Sequence, residues 1–259
     1  MEKQPVPPSE FYDLRGVDAL RRISRKCGSS DFRECFREPY RFMERQLDIA
    51  YAMGARSLLD VCCGTGTHSV AAANQGFRVH GVDISAKSIE SAVSLASQFG
   101  LTDRCSFEVR SFDEFVGNCR ESFDVVLISG SLYYLDNVQV LRLCGAVLAK
   151  GGLFICVETF GDNPFMSMVR NLKNRIYGHR DVTTLNSLLG TKEIRRLTSG
   201  FRSADVAYFD LFTLATAAFP EGSVAGRLLI RMASLVDWVI LNKLGMRLLS
   251  FKFVIVGRK

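Results

Sequence analysis

The stretch Leu58 to Ser69, LLDVCCGTGTHS, constrains this chain more than any other. An apolar run stops at Val61, two glycines bracket a threonine at Gly64-Thr65-Gly66, and a helical pattern follows at once. Glycine reaches backbone conformations closed to other residues and lets the chain pass close to a ligand that a Cβ would block. A strand, a glycine turn and a helix in that order open a βαβ unit whose ligand sits at the carboxyl end of the strand.

The alternation continues along the chain without an internal repeat. Short apolar runs bounded by turn residues predict strands at Ser57–Val61, Arg78–Val82, Ser106–Val109, Phe123–Ser129 and Gly152–Thr159, each flanked by a helical pattern. A further strand is expected within ADVAYFDLFTL (204–214), and FKFVIVGRK closes the chain as the last. Upstream, apolar spacing predicts helices over Val17–Lys26 and Pro39–Met53, with Pro39 suited to a first helical position, and the opening MEKQPVPPSE reads as a disordered tail. Strands separated by helices pair in parallel through right-handed crossovers, so the expected fold is a doubly wound α/β sheet.

Composition narrows the partners. With 47% apolar and 23% charged residues among 259, the chain can bury a full core. The net charge of +6 is spread without a run of five bases, which does not suit a nucleic acid partner. Eight cysteines lack CxxC pairs or a Cys/His cluster of zinc spacing, so reduced thiols and no metal are expected, with Cys62 and Cys63 on opposite faces of a strand. No charged n-region followed by an apolar h-region opens the sequence, and the expected location is cytoplasmic. Val224–Leu244 has the length of a membrane span, but Arg227, Arg231, Asp237 and Lys243 oppose insertion at about 2.5–3.5 kcal/mol per central charge. A buried lid or a dimer-interface helix is the favoured reading, in a monomer or homodimer. Trp238 and the flanking bases leave peripheral membrane contact open.

Asp83, in VHGVDIS, stands 19 residues beyond Gly64 at the end of the second predicted strand. A carboxylate there can accept two hydrogen bonds from a ribose diol, and together with the glycine turn it indicates an adenosine-containing ligand. The spacing alone does not separate a nicotinamide dinucleotide from S-adenosylmethionine (SAM). The dinucleotide fingerprint asks for a third glycine where Ser69 stands. Asp60 would repel a pyrophosphate and attract an amino-acid ammonium, which favours SAM.

Taken together, LLDVCCGTG, VDIS, FDVVLISGSLYYL and VLAKGGLFI resemble the successive signature segments of class I SAM-dependent methyltransferases, from about Pro39 to Glu158. The resemblance implies a Rossmann-like, mostly parallel seven-stranded sheet with N-terminal lid helices and a C-terminal helical acceptor cap. It implies a tail and lid helix over 1–38, a SAM-binding core over 39–160, and an acceptor-binding cap carrying the last two strands over 161–259. Asp60, Gly64 and Gly66, with Cys62, Thr65 and His68 in the same turn, would hold the methionine end of SAM. Asp83 and Ile84 would meet the ribose, Ser111 and Phe112 the adenine, and Ser129, Gly130 and the residues to Tyr133 would face the methyl group. Two positions depart from the family: it usually has Gly where Cys62 stands, and many members have Asp where Ser111 stands. More narrowly, REPYRFMERQL, GTGTHS and ETFGDNPFMSMVRNL resemble a bacterial subgroup of small-molecule methyltransferases, some of glycan or natural-product pathways. There an N-terminal helix closes over the cofactor, which makes Tyr40 a candidate lid residue.

Methyl transfer from a sulfonium is an in-line displacement that chiefly requires an acceptor held about 3–3.5 Å from the methyl carbon. A base is needed only where the acceptor keeps its proton. His179 in IYGHRD is the candidate base; Glu158, with Asp162 and Asn163, is expected to meet the acceptor after the fifth strand, Tyr133 and Tyr134 would shape the pocket, and His179, Tyr133 and Glu158 are the catalytic candidates. His68 is expected at the start of the first crossover helix and His80 within a strand without chemistry. The segment SGSLYY lacks the Asn/Asp-Pro-Pro-aromatic signature of enzymes that methylate nucleic acid amines. The expected function is transfer of the SAM methyl to oxygen or nitrogen of a small-molecule acceptor, leaving S-adenosylhomocysteine (SAH). The rivals are a cofactor-binding scaffold without catalysis and an NAD(P)-dependent oxidoreductase, which would lack its Tyr-x-x-x-Lys relay.

Overall fold

The computed structural model describes residues 38–169, 188–218 and 224–259. Its first helix, α1 (Tyr40–Ala52), starts one residue past Pro39, which is the N-cap, and buries Met43, Leu47 and Ala50 along one face. The helix expected at 17–26 lies outside the described residues. There follow β1 (Ser57–Val61), α2 (Thr67–Gln75), β2 (Arg78–Asp83), α3 (Ala86–Gln98), β3 (Cys105–Val109), α4 (Phe112–Asn118), β4 (Phe123–Ser129), α5 (Asn137–Val147) and β5 (Leu148–Thr159). The chain is completed by α6 (Thr191–Thr198), β6 (Ser203–Phe209), α7 (Val224–Trp238) and β7 (Lys252–Arg258). β5 begins earlier than its apolar run because Leu148 already pairs with Phe123, ahead of a shift in register. β6 ends earlier than its run because Asp210 takes a left-handed φ of 65° and turns the chain away.

The seven strands form one sheet in the order β3-β2-β1-β4-β5-β7-β6. β1 to β5 run parallel, and β7 lies antiparallel between β5 and β6. This is the expected α/β architecture, and the strand order reverses between β1 and β4. Ligands of such sheets sit outside the carboxyl ends at that reversal. Period-two alternation divides the core between the faces: Leu58, Val125, Leu127 and Ile155 pack with α1 and α2, while Leu59, Val61, Val126 and Ile128 pack with α4 and α5.

The free edge of β6 is covered by a π-helical turn, Val239–Lys243, that continues α7. Asn242 in that turn accepts from the Tyr208 N–H and donates to the Tyr208 carbonyl, both at 2.8 Å, and so stands in for a neighbouring strand. Of the two readings favoured for the segment 224–244, a buried lid or a dimer-interface helix, the structure departs from the first. Leu228, Met232, Leu235 and Val239 are exposed, whereas Asp237 is buried.

Candidate cofactor and acceptor site

The turn after β1 is built from left-handed residues: Cys62 has φ 56°, Gly64 φ 54° and Gly66 φ 73°. Cys62 and Cys63 have therefore left the strand, and the alternation of faces expected of them does not apply. Cys62 holds a conformation that costs a residue with a Cβ about 1–2 kcal/mol relative to the right-handed region. A Cβ built on Gly66 would lie 2.7 Å from the Ala92 Cβ, so glycine there lets α3 pack against the turn. A Cβ on Gly64, or on Gly130 after β4, would meet nothing within 4 Å. These two glycines border open space at the carboxyl ends of neighbouring strands, and Thr65 is buried behind them, its hydroxyl 3.4 Å from that of Thr67.

Two carboxylates flank that space. Asp83 accepts the Gly64 N–H through Oδ2 and the Ser85 N–H through Oδ1, each at 2.9 Å. A carboxylate oxygen can accept more than one hydrogen bond, so these contacts are compatible with a ribose hydroxyl on either oxygen. The acid predicted to bind ribose also fastens the glycine turn to β2, a role its spacing did not reveal. Ile84 beside it is 37% exposed. Asp60 is 2% exposed and accepts the Ser69 hydroxyl at 2.6 Å. Burial raises its pKa to about 7; the Ser69 hydrogen bond opposes that rise and the Asp83 charge adds to it.

Tyr40, at the start of α1, stacks on His68, at the start of α2, with ring centroids 5.0 Å apart. Burial, helped by the Lys252 charge, lowers the His68 pKa to about 4. Lys252 donates to the Tyr40 hydroxyl at 3.2 Å and lies over the same ring at 5.3 Å. Sequence reasoning missed Lys252. Its signal was a lone base opening the last apolar strand, because an antiparallel strand starts at the edge where its parallel neighbours end.

Glu158, expected to meet the acceptor, has no exposed surface. Its Oε1 accepts the Leu132 N–H at 2.5 Å and so holds the turn after β4, while Oε2 has no hydrogen-bond partner among the described residues. Burial raises the Glu158 pKa to about 7, against the opposing influence of the Leu132 N–H and of the Lys252 charge. Ser131 in that turn is buried beside the Cys62 thiol. The backbone of Tyr133 lies in a 3₁₀ turn, Leu132–Tyr134, and its side chain is outside what the structure describes. His179 also lies outside the described residues.

Several expected contacts are engaged elsewhere. Phe112 is 4% exposed within the core, so little of its ring is left to cover a base. Ser111 caps α4, its hydroxyl donating to Glu114 at 2.7 Å. Asn163 donates to the carbonyls of Leu249 and Ser250, and Asp162 accepts from the Thr191 N–H. His80 lies within β2, its Nδ1 2.8 Å from the Ser106 hydroxyl, and stacks on Phe115. Ser129 closes β4 opposite Val157, next to Gly130. A cleft of about 720 Å³ opens elsewhere, beside Phe42, Tyr208, Trp238 and Arg247. Neither the glycine turn nor Asp60 nor Asp83 lines it.

Residues 54–198 match the model of a family described as a methyltransferase domain. A ubiquinone biosynthesis O-methyltransferase of Caulobacter sp. (strain K31) is 31% identical over 148 residues, 57% of this chain and 57% of that relative. One of Hahella chejuensis is 32% identical over 121 residues, 46% of this chain and 49% of the relative. The chain thus spans about half the length of the curated relatives it matches. A crystal structure of a putative sarcosine dimethylglycine methyltransferase from Galdieria sulphuraria superposes over 88% of both chains with TM-score 0.56 at 16% identity. A plantazolicin methyltransferase in complex with a pentazolic desmethylPZN analogue and SAH superposes over 97% of this chain and 98% of that one, with TM-score 0.57 at 15% identity. At that distance the likeness concerns the fold.

Proposed function

The chain belongs to the class I SAM-dependent methyltransferases, and from that premise we propose that it moves the sulfonium methyl of SAM to an oxygen or nitrogen of a small-molecule acceptor. The observation that carries the reading is the pair of acids around the open glycine turn. Gly64 and Gly130 leave room at the reversal of strand order, Asp83 offers a carboxylate beside Ile84, and buried Asp60 offers a second. A cofactor ending in an ammonium suits Asp60, whereas a pyrophosphate would not. Cys62, where the family usually has glycine, holds the left-handed conformation that a glycine would hold.

When bound, SAM would supply an electrophilic methyl, and the residues of this chain would supply position and dryness. Asp60 would attract the ammonium, Asp83 the ribose hydroxyls, and Tyr40 with His68 would close the side of the site nearest α1. Neutral His68 suits that apolar stacking role, since its pKa near 4 leaves it uncharged at neutral pH. Glu158 is a positioning residue in this scheme, holding the turn from Gly130 to Leu132 through one N–H. We assign the acceptor side to 161–259 and keep His179 as the candidate base for an acceptor that arrives protonated.

The natural-product or glycan type of acceptor rests on sequence resemblance alone. Similar proteins carry names as different as ubiquinone biosynthesis O-methyltransferase and geranyl diphosphate C-methyltransferase, so the fold does not choose the acceptor. The testing experiment is calorimetric titration with SAH, with NADH in parallel, followed by radiolabelled methyl transfer across an acceptor panel. Binding of SAH alone with label transferred is the expected result. NADH binding would overturn the cofactor, and tight SAH binding with no transfer to any acceptor would favour the scaffold.

A further inference from the structure

Helix α7 wears its apolar side outward. Leu228, Leu229, Met232, Leu235, Val236 and Val239 are 40–65% exposed, and their spacing places them in one stripe along the helix. The side turned inward is held by Asp237, 2% exposed, which accepts the N–H groups of Leu211, Phe212 and Thr213 and the Thr213 hydroxyl. Trp238 packs by Phe42 and Phe209 on that inner side. A buried carboxylate with four donors fixes the rotation of the helix, so the stripe cannot turn inward without stranding that charge.

The apolar surface continues past the helix through exposed Leu244, Met246 and Leu248, interleaved with Lys243 and Arg247. Arg231 lies exposed beside the stripe. Between Val224 and Lys259 the one acid is Asp237, which is buried, so nothing in this segment offsets the bases. No helix among the described residues is long and apolar enough to cross a membrane.

We propose that this face docks in the plane of an anionic bilayer surface, the stripe entering the headgroup boundary and Arg231, Lys243 and Arg247 meeting lipid phosphates. Apolar residues on one face, bases around them and no exposed acid in the segment are the features such a surface selects. A second copy fits less well. A two-fold contact sets the same patch against itself, and here it would bring these bases together where the segment itself offers no exposed acid and, of the acids among the described residues, Asp205 alone lines the cleft beside Lys243 and Arg247. The Asp237-bound loop follows β6 at the carboxyl edge of the sheet, so docking would hold that edge near the bilayer.

The test is cosedimentation of the full chain with vesicles of phosphatidylcholine alone or with phosphatidylglycerol added, over a range of salt. Binding should rise at least tenfold with the anionic lipid and fall with salt. It should also fall at least tenfold in Leu228→Glu/Leu235→Glu and in Arg231→Glu/Arg247→Glu, with SAH affinity retained as the check on folding. Equal binding to both vesicle types overturns the proposal without touching the methyltransferase reading. So does a wild-type dimer that ignores vesicles and that Leu228→Glu/Leu235→Glu dissociates, because the stripe then covers a second copy.

Discussion

Replacing Asp60 by asparagine should change how the stability of the ligand-free protein depends on pH. In the unfolded chain an aspartate loses its proton near pH 4, whereas in the fold burial holds the proton until about pH 7. Between those values the folded state binds the extra proton, so stability falls as pH rises, by about 1.4 kcal/mol per unit, and levels off above pH 7. From 3.8 to about 7 the cumulative loss is about 4 kcal/mol, an upper figure for a group that can relax toward water. The amide introduced by Asp60→Asn does not titrate in this range. The expected result is a urea-unfolding stability that declines several kcal/mol more between pH 4 and 8 in the wild type than in Asp60→Asn. The buried amide adds a constant offset of about 1–3 kcal/mol if it lacks a partner, so the slope is diagnostic and the absolute value is not. Glu158 contributes decline of the same sign in both proteins, its pKa raised from 4.5 to about 7, and cancels in the difference.

The same substitution should act oppositely on the cofactor. A site that needs Asp60 ionised binds about tenfold more weakly at pH 6 than at pH 8, because a pKa near 7 leaves about a tenth of the carboxyl ionised at the lower value. Wild-type SAH affinity should show that rise, and Asp60→Asn should bind weakly with no rise. Parallel stability slopes in the two proteins would refute the buried carboxyl. A flat wild-type affinity profile would refute its pairing with the ammonium.

Cys62→Gly should keep SAH affinity and stability within about 1 kcal/mol of wild type, because relief of the left-handed conformation is offset by glycine's greater unfolded freedom. Cys62→Val should lose at least about 1–2 kcal/mol in the same melt, since a β-branched residue resists φ 56°; equal stability of the two would mean the turn is built differently. Asp83→Ala should weaken SAH by about 1.5–3 kcal/mol in calorimetry and also lower ligand-free stability, because the Gly64 N–H loses its acceptor. Unchanged affinity sinks the ribose assignment. Glu158→Gln should retain kcat, because a neutral amide oxygen still accepts from Leu132, while Glu158→Ala should cost about 1–3 kcal/mol of stability. A fall of a hundredfold or more in kcat for Glu158→Gln would make the residue a proton carrier instead.

The legible parts of this chain are those whose information is local. β1 and β4 were readable to the residue because the apolar runs end at turn residues, and the glycine turn because the left-handed positions on either side of Thr65 are both glycine. What escaped sequence reasoning depends on neighbours far along the chain. Lys252 reaches Tyr40 across 212 positions, and the Asn242 clasp on Tyr208 spans 34. The burial of Phe112 and Glu158 was hidden for a related reason. Each stands at an element end where the sheet opens toward ligand, and position alone cannot say whether a side chain turns outward or under the next turn. For α7 the sequence showed an apolar stretch interrupted by charges, and that content leaves open which side faces in. Asp237 decides it: four donors converge on this acid from the loop after β6, so the side that carries Asp237 and Trp238 is the inner one. The apolar stripe is outward as a consequence of one buried charge.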